Sequence, residues 1–108
     1  MLDWEKQNID SADYYGYEAQ SNQLIEEMAE LIQAINKHKR VLNYGQTVKL
    51  TLNDAVNNIS EEIADVELML SQIKHLLGIN PKYVERIKIA KVNRTAERMA
   101  REMRFNDV

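Results

Sequence analysis

The sequence predicts an all-α fold, a bundle of three to four helices per chain, on three observations. Apolar residues recur at steps of three and four over two long stretches. Three glycines and one proline in 108 residues leave few places to interrupt a helix. The single proline follows "GIN", a string that ends one helix and opens the next. The length suits one domain spanning 1–108, and so small a domain hides only about 60 to 70% of its unfolded surface, which leaves amphipathic helix stripes able to take a partner subunit.

Taken in order, the residues before Gly16 form a short amino-terminal helix, weakly patterned. The first long helix is predicted over 17–39, where Leu24, Met28, Leu31 and Ile35 follow one face with Ile25 and Ile32 beside them. The stretch "RVLNYGQTVKLTL", 40–52, brings Gly, Asn and β-branched residues and reads as a connection with a short extended piece. The second long helix places Ile59, Ile63, Val66, Leu70, Ile73 and Leu77 on one face, with Asn53 or Asn57 as its cap and Gly78 as its stop. A third helix runs over 81–104, with Pro81 at the favoured first position and Asn80 able to cap it.

Composition removes several functional classes. There is no cysteine, hence no disulfide, thiolate metal site or cysteine nucleophile. The net charge of −3 argues against a nucleic-acid polymer as partner, although the last third is locally basic. "MLDWEKQNID" has no basic start followed by an apolar run, and no apolar stretch reaches membrane-spanning length, so a cytoplasmic protein with no membrane partner is expected.

The carboxylates carry the chemistry. At about 100° per residue, the stripe of the first helix puts Glu27 about 70° and Glu30 about 130° to one side, while Glu26 points away. The second helix repeats the motif in phase, with Glu62 about 60° and Asp65 about 120° from its stripe and Glu61 facing out. Acids three apart on a helix repel when ionised. Four of them sharing a partly desolvated cleft call for a cation, and an all-oxygen donor set suits Mg²⁺, with Mn²⁺ as substitute. The ordinary reading stands beside it: acids bordering a helix stripe are commonly solvated or paired with lysine across a bundle.

Positive charge is concentrated late in the chain. Val84 and Ile87 set an inward face on the third helix that continues as Lys91, Arg94 and Arg98. These cations either snorkel to neighbouring acids or meet substrate phosphates; Lys37, two turns after Glu30, is a further candidate. Gln20, one turn before Leu24, could read a base edge or bond a helix end. Trp4, Tyr14, Tyr15 and Tyr17 could stack on a base or close the end of the bundle. His38 and His75 lie outside the acid pattern and are assigned to surface or packing. No phosphate-binding glycine loop, serine-nucleophile elbow or paired-histidine zinc motif occurs.

The segments "YGYEAQSNQLIEEMAELIQAINK", "ISEEIADVELMLSQIKHLLGI" and "KVNRTAER" together resemble the MazG-like all-α nucleoside triphosphate pyrophosphohydrolases in their short single-domain form, over most of 15–98. The resemblance implies a helical homodimer or homotetramer. It also implies Mg²⁺-dependent hydrolysis of (deoxy)nucleoside triphosphates to monophosphate and pyrophosphate, in the service of nucleotide-pool cleaning. By position it implies Glu27, Glu30, Glu62 and Asp65 as metal ligands, Glu26 or Glu61 to hold or activate water, and Lys91 and Arg94, with Asn93 and Arg98, on phosphate and sugar. The chain departs from the family in a slightly longer segment between the acid motifs and in its ending, "MAREMRFNDV". A phosphoribosyl-ATP pyrophosphohydrolase-like enzyme and a catalytically silent helical oligomer are the rival readings.

Overall fold

The computed structural model describes residues 1–44 and 50–106. They form three helices, α1 (Asp3–Tyr44), α2 (Leu52–Leu76) and α3 (Pro81–Asn106), with no strand among them. The chain divides into two compact units, Met1–Leu77 with α1 and α2, and a second that starts at Gly78 and holds α3. No helix of the described residues is long and apolar enough to cross a membrane.

The amino-terminal helix and the first long helix both form and meet across a kink at Gly16, as expected; together they are the two arms of α1. There the backbone turns to φ 86°, ψ 171°, a region that only glycine enters without strain. Helix α1 also runs five residues past the expected end at residue 39, through the start of the segment read as a connection. The extended piece expected in that segment falls largely on 45–49, outside the described residues.

Helix α2 starts earlier than either asparagine suggested. Thr51 is its cap, accepting a hydrogen bond from the Asp54 amide at 3.1 Å while the Asp54 carboxylate accepts one from the Thr51 amide at 3.4 Å, a reciprocal box that satisfies two otherwise orphaned donors. Gly78, at φ 65°, follows the helix end as expected. Asn80 then caps α3 through its side-chain oxygen, which accepts from the Lys82 amide at 2.9 Å, with Pro81 in the first helical position.

Helices α1 and α2 form an antiparallel hairpin: Asn8 meets Leu68 and Gln72, whereas Glu27 meets Glu62 much farther along α1 and farther back along α2. The packing face differs from the apolar stripe. Past Gly16, buried and half-buried positions on α1 include Gln20, Gln23, Leu24, Glu27, Leu31, Ala34, His38 and Val41, which centres the face on Glu27, about 60° from the centre of the large apolar side chains. Ala34 is 6% exposed while Met28 is 40% exposed. On α2 the same rotation buries Ala55, Val66, Met69 and Gln72 around Glu62 and leaves Ile63, Leu70 and Leu77 exposed. Alanines at the contact let the two backbones approach closely, and that approach brings the acids into the hairpin seam.

Near the Gly16 break the seam is polar. Gln20 Nε2 donates to Gln72 Oε1 at 2.7 Å, Gln72 Nε2 donates to Asn8 Oδ1 at 2.7 Å, and Asn8 Nδ2 donates to the Leu68 carbonyl at 3.0 Å. This amide chain ties both arms of α1 to one point on α2. Each bond is worth about 1 kcal/mol net, and loss of the central member would leave its neighbours unpaired.

Candidate metal and phosphate site

One carboxylate oxygen from each of Glu27, Glu30 and Glu62 lies within 4.8 Å of the other two. The helical spacing makes this arrangement: Glu27 and Glu30 are neighbours along α1, and Glu62 is delivered from α2 by the antiparallel pairing. Gln23, one turn before Glu27, donates to Glu27 Oε1 at 2.7 Å and fixes the carboxylate's orientation. The second oxygens of Glu27 and Glu62 are buried without a hydrogen-bond partner.

Asp65, one turn after Glu62, is half-buried. Burial first, then the negative charge of Glu27 and a hydrogen bond shared with it, hold the Asp65 carboxyl above its ordinary value of 3.8. Hence Glu27, Glu30 and Glu62 meet, with Asp65 beside Glu27, and a proton or a cation would relieve their repulsion. Ion pairs among the described residues join Lys6 to Asp10 and Arg98 to Glu102, and His75 lies within hydrogen-bond distance of Asp13; none of these contacts involves the four acids.

The donor set fits Mg²⁺ or Mn²⁺. All donors are oxygens, and Glu27 and Glu62 each carry a buried oxygen with no hydrogen-bond partner, the donor type that hard divalent cations take. Beside the cluster an open pocket of about 300 Å³ is lined by Glu30, Gln33, Ala34, Lys37, Asn58 and Glu62. Its volume is at the low end for a small-molecule site. Lys37 thus shares the pocket with two of the acids.

Other expected residues lie elsewhere. Glu26 and Glu61 are exposed, each about 100° round its helix from the neighbouring ligand candidate. Gln20 is held in the amide chain by its bond to Gln72. Tyr14 and Tyr15 make an edge-to-face pair at 4.9 Å beside the Gly16 break, and both are exposed. His75 Nε2 lies 2.7 Å from Asp13 Oδ1, across the hairpin, and His38 is half-buried, in keeping with packing roles. In the second unit, Lys91, Arg94 and Arg98, with Thr95 and Arg101, line one face of α3, and Asn93 is exposed on the same helix.

Sequence reasoning passed over three residues. Gln23 orients Glu27, and Gln33 and Asn58 line the pocket. The signal was present: Gln23 and Asn58 each stand four residues before a ligand candidate, and Gln33 stands three after Glu30, the spacings at which helical side chains meet.

No family model, no curated protein and no solved structure matches the chain.

Proposed function

We propose that the protein is a Mg²⁺-dependent hydrolase that cleaves the α,β-phosphoanhydride of a nucleoside triphosphate, releasing monophosphate and pyrophosphate, in a cytoplasmic nucleotide-cleaning role. The observation that carries the reading is the meeting of Glu27, Glu30 and Glu62 across the hairpin with unpartnered buried oxygens on two of them. Like-charged carboxylates set together with buried, unpartnered oxygens are unfavourable on their own, and a bound cation would relieve them.

In this reading Glu27, Glu30, Glu62 and Asp65 hold the metal, and Gln23 keeps Glu27 aimed. A bound divalent ion supplies charge neutralisation at the phosphate oxygens and a more acidic bound water. Lys37 offsets phosphate charge at the pocket wall, and the Gln33 and Asn58 amides offer hydrogen bonds to phosphate or sugar oxygens. The basic stripe of α3, with Lys91, Arg94 and Arg98, and with Asn93, is the second group assigned to phosphate and sugar. Hydrolysis of this kind needs positioning and charge compensation more than a covalent nucleophile, in keeping with a chain that has no cysteine. Glu26 and Glu61 point away from the cluster's face, so a role for either in activating water requires a neighbouring subunit.

Oligomerisation belongs to the same proposal. Met28 and Ile35 on α1 and Ile63 and Leu70 on α2 are exposed. Both stripes are rotated in the same sense from the packing face, and in an antiparallel pair that puts them on one side of the hairpin. A second hairpin laid on that side would complete a four-helix core.

The test is product analysis by ion-exchange chromatography. Ribo- and deoxynucleoside triphosphates and phosphoribosyl-ATP are incubated with the protein, with and without Mg²⁺, beside a Glu62→Ala, Asp65→Ala variant. Monophosphate and pyrophosphate from free nucleotides, dependent on both metal and acids, are expected. Turnover of phosphoribosyl-ATP alone would move the reading to that enzyme class, and no product from any of them would leave the silent oligomer as the better account.

A further inference from the structure

Helix α3 carries a second pattern, distinct from its basic stripe. Ile89, Val92, Ala96, Met99 and Met103 recur at steps of three and four, and all are exposed, the four large ones each by more than half. On a helical wheel they form one stripe, opposite Lys91, Arg94, Arg98 and Arg101. Alternating steps of three and four are the spacing of a two-helix seam, in which these residues take the a and d positions.

We propose that α3 pairs antiparallel with α3 of a second copy of the chain. The orientation follows from charge. With Ile89 set against Met99 of the partner subunit, and Val92 against Ala96 of the partner subunit, the residues flanking the seam on one side are Lys88 against Glu102 of the partner subunit, twice by symmetry, and Thr95 against the partner's Thr95. On the other side Asn93 meets the partner's Asn93 and Arg86 meets the partner's Ala100. Every seam residue from Ile89 to Met99 finds an apolar layer, two opposite-charge pairs form, and no like charges meet. A parallel pair would set Lys88 against an asparagine and Thr95 against an alanine, with no attraction to fix it. Glu102 is available: its contact with Arg98 on its own helix is long, 3.9 Å, and exposed. The pairing leaves the basic stripes of both copies facing outward, free for anions. It uses no residue of the acid cluster and stands whether or not the chain hydrolyses nucleotides.

The absence of native cysteine makes the geometry directly testable on the full chain. Thr95→Cys and Ile89→Cys are made separately and treated with a short bis-maleimide linker at micromolar protein. Antiparallel pairing brings the two thiols of the Thr95→Cys dimer together at the symmetry axis, but separates those of the Ile89→Cys dimer by ten residues of helix, about 15 Å. Cross-linked dimer is expected from Thr95→Cys and not from Ile89→Cys. Equal cross-linking of both, or of neither, would overturn the proposal. Sedimentation equilibrium supplies the second reading: Lys88→Glu and Glu102→Lys should each weaken association about tenfold, since two pairs change from attraction to repulsion, and the double exchange should restore it. These positions are exposed, so helical content by circular dichroism should not change. Failure of the double exchange to restore association would overturn the charge argument. Loss of anionic phosphatidylserine vesicle binding in Val92→Gln, Met99→Gln, with association unchanged, would identify the seam as a lipid contact instead.

Discussion

If the facing acids await a cation, removing one of them should stabilise the metal-free protein, the reverse of the usual effect of mutating a half-buried residue. Glu62→Gln keeps the shape and deletes the charge. The cluster oxygens lie within 4.8 Å of one another, and at that widest separation two unit charges repel by about 3.5 kcal/mol at an effective dielectric of 20 and by about 0.9 kcal/mol in water. Seating an amide there costs about 1 kcal/mol. The expected net gain is about 1 to 2 kcal/mol at pH 7, which is about 4 to 16 °C in Tm for a domain of this size.

Asp65 sets the pH dependence. Its folded-state pKa lies above 3.8, so the folded form holds the proton that the unfolded form has already released. The stability this contributes is full below about pH 3.8 and is lost as pH rises through the folded value. Differential scanning fluorimetry in EDTA should therefore show metal-free wild type losing stability relative to Asp65→Asn as pH rises from about 3.8 through the raised folded-state value. Added Mg²⁺ should raise the wild-type Tm at pH 7, raise it less at about pH 4.5, where protons compete, and leave Glu62→Gln almost unmoved. A lower Tm for Glu62→Gln in EDTA, with equal Mg²⁺ shifts in both proteins, would refute the reasoning and mark the acids as ordinarily paired or solvated.

Three further outcomes probe the scaffold that positions the acids. Gly16→Ala places a Cβ at φ 86°, ψ 171° and should cost about 1 to 3 kcal/mol by chemical denaturation, although the added methyl meets nothing within 4 Å. Gln72→Leu removes the middle of the amide chain and orphans groups on Asn8 and Gln20; a loss of about 1 to 3 kcal/mol is expected, with faster hydrogen exchange in the first arm of α1. Ala34→Leu overpacks the hairpin beside the pocket, so a cost of about 1 to 3 kcal/mol should accompany weaker Mg²⁺ affinity measured by calorimetry, as the helices and their acids move apart.

Much of the helical frame is legible because its punctuation is local. Gly78, Asn80 and Pro81 mark the α2–α3 junction in sequence and occupy those roles in the structure. Gly16 likewise reads as a boundary in sequence and is one, a non-helical residue at φ 86°, ψ 171° where two helical arms meet across a kink; the far end of α1 is not legible, since the helix runs on to Tyr44. The start of α2 is masked by two asparagines that compete as caps with Thr51, whose partner Asp54 completes the capping box three residues on.

The acid motifs are legible as a pattern, and their grouping follows from the matching phase on the two helices. Their depth is not. An apolar wheel finds the direction of the largest side chains, but the hairpin packs through Ala34, Ala55 and Val66, which moves Glu27 and Glu62 from the margin to the centre. The wheel averages over two faces, the one α1 and α2 share and the exposed one on which we propose a second hairpin. Gln23, Gln33 and Asn58 escape notice because amides beside acids look like ordinary helix surface until the partner helix is in place.

That the hairpin acids form one divalent-cation site is the central claim. The most direct test is Mn²⁺ titration followed by electron paramagnetic resonance of the free ion, on wild type and on Glu27→Gln, Glu62→Gln with matching circular dichroism. Wild type should deplete the free-ion signal saturably, Mg²⁺ in excess should return it, and the variant should leave it unchanged. Equal depletion by both proteins, or none by either, would contradict the claim.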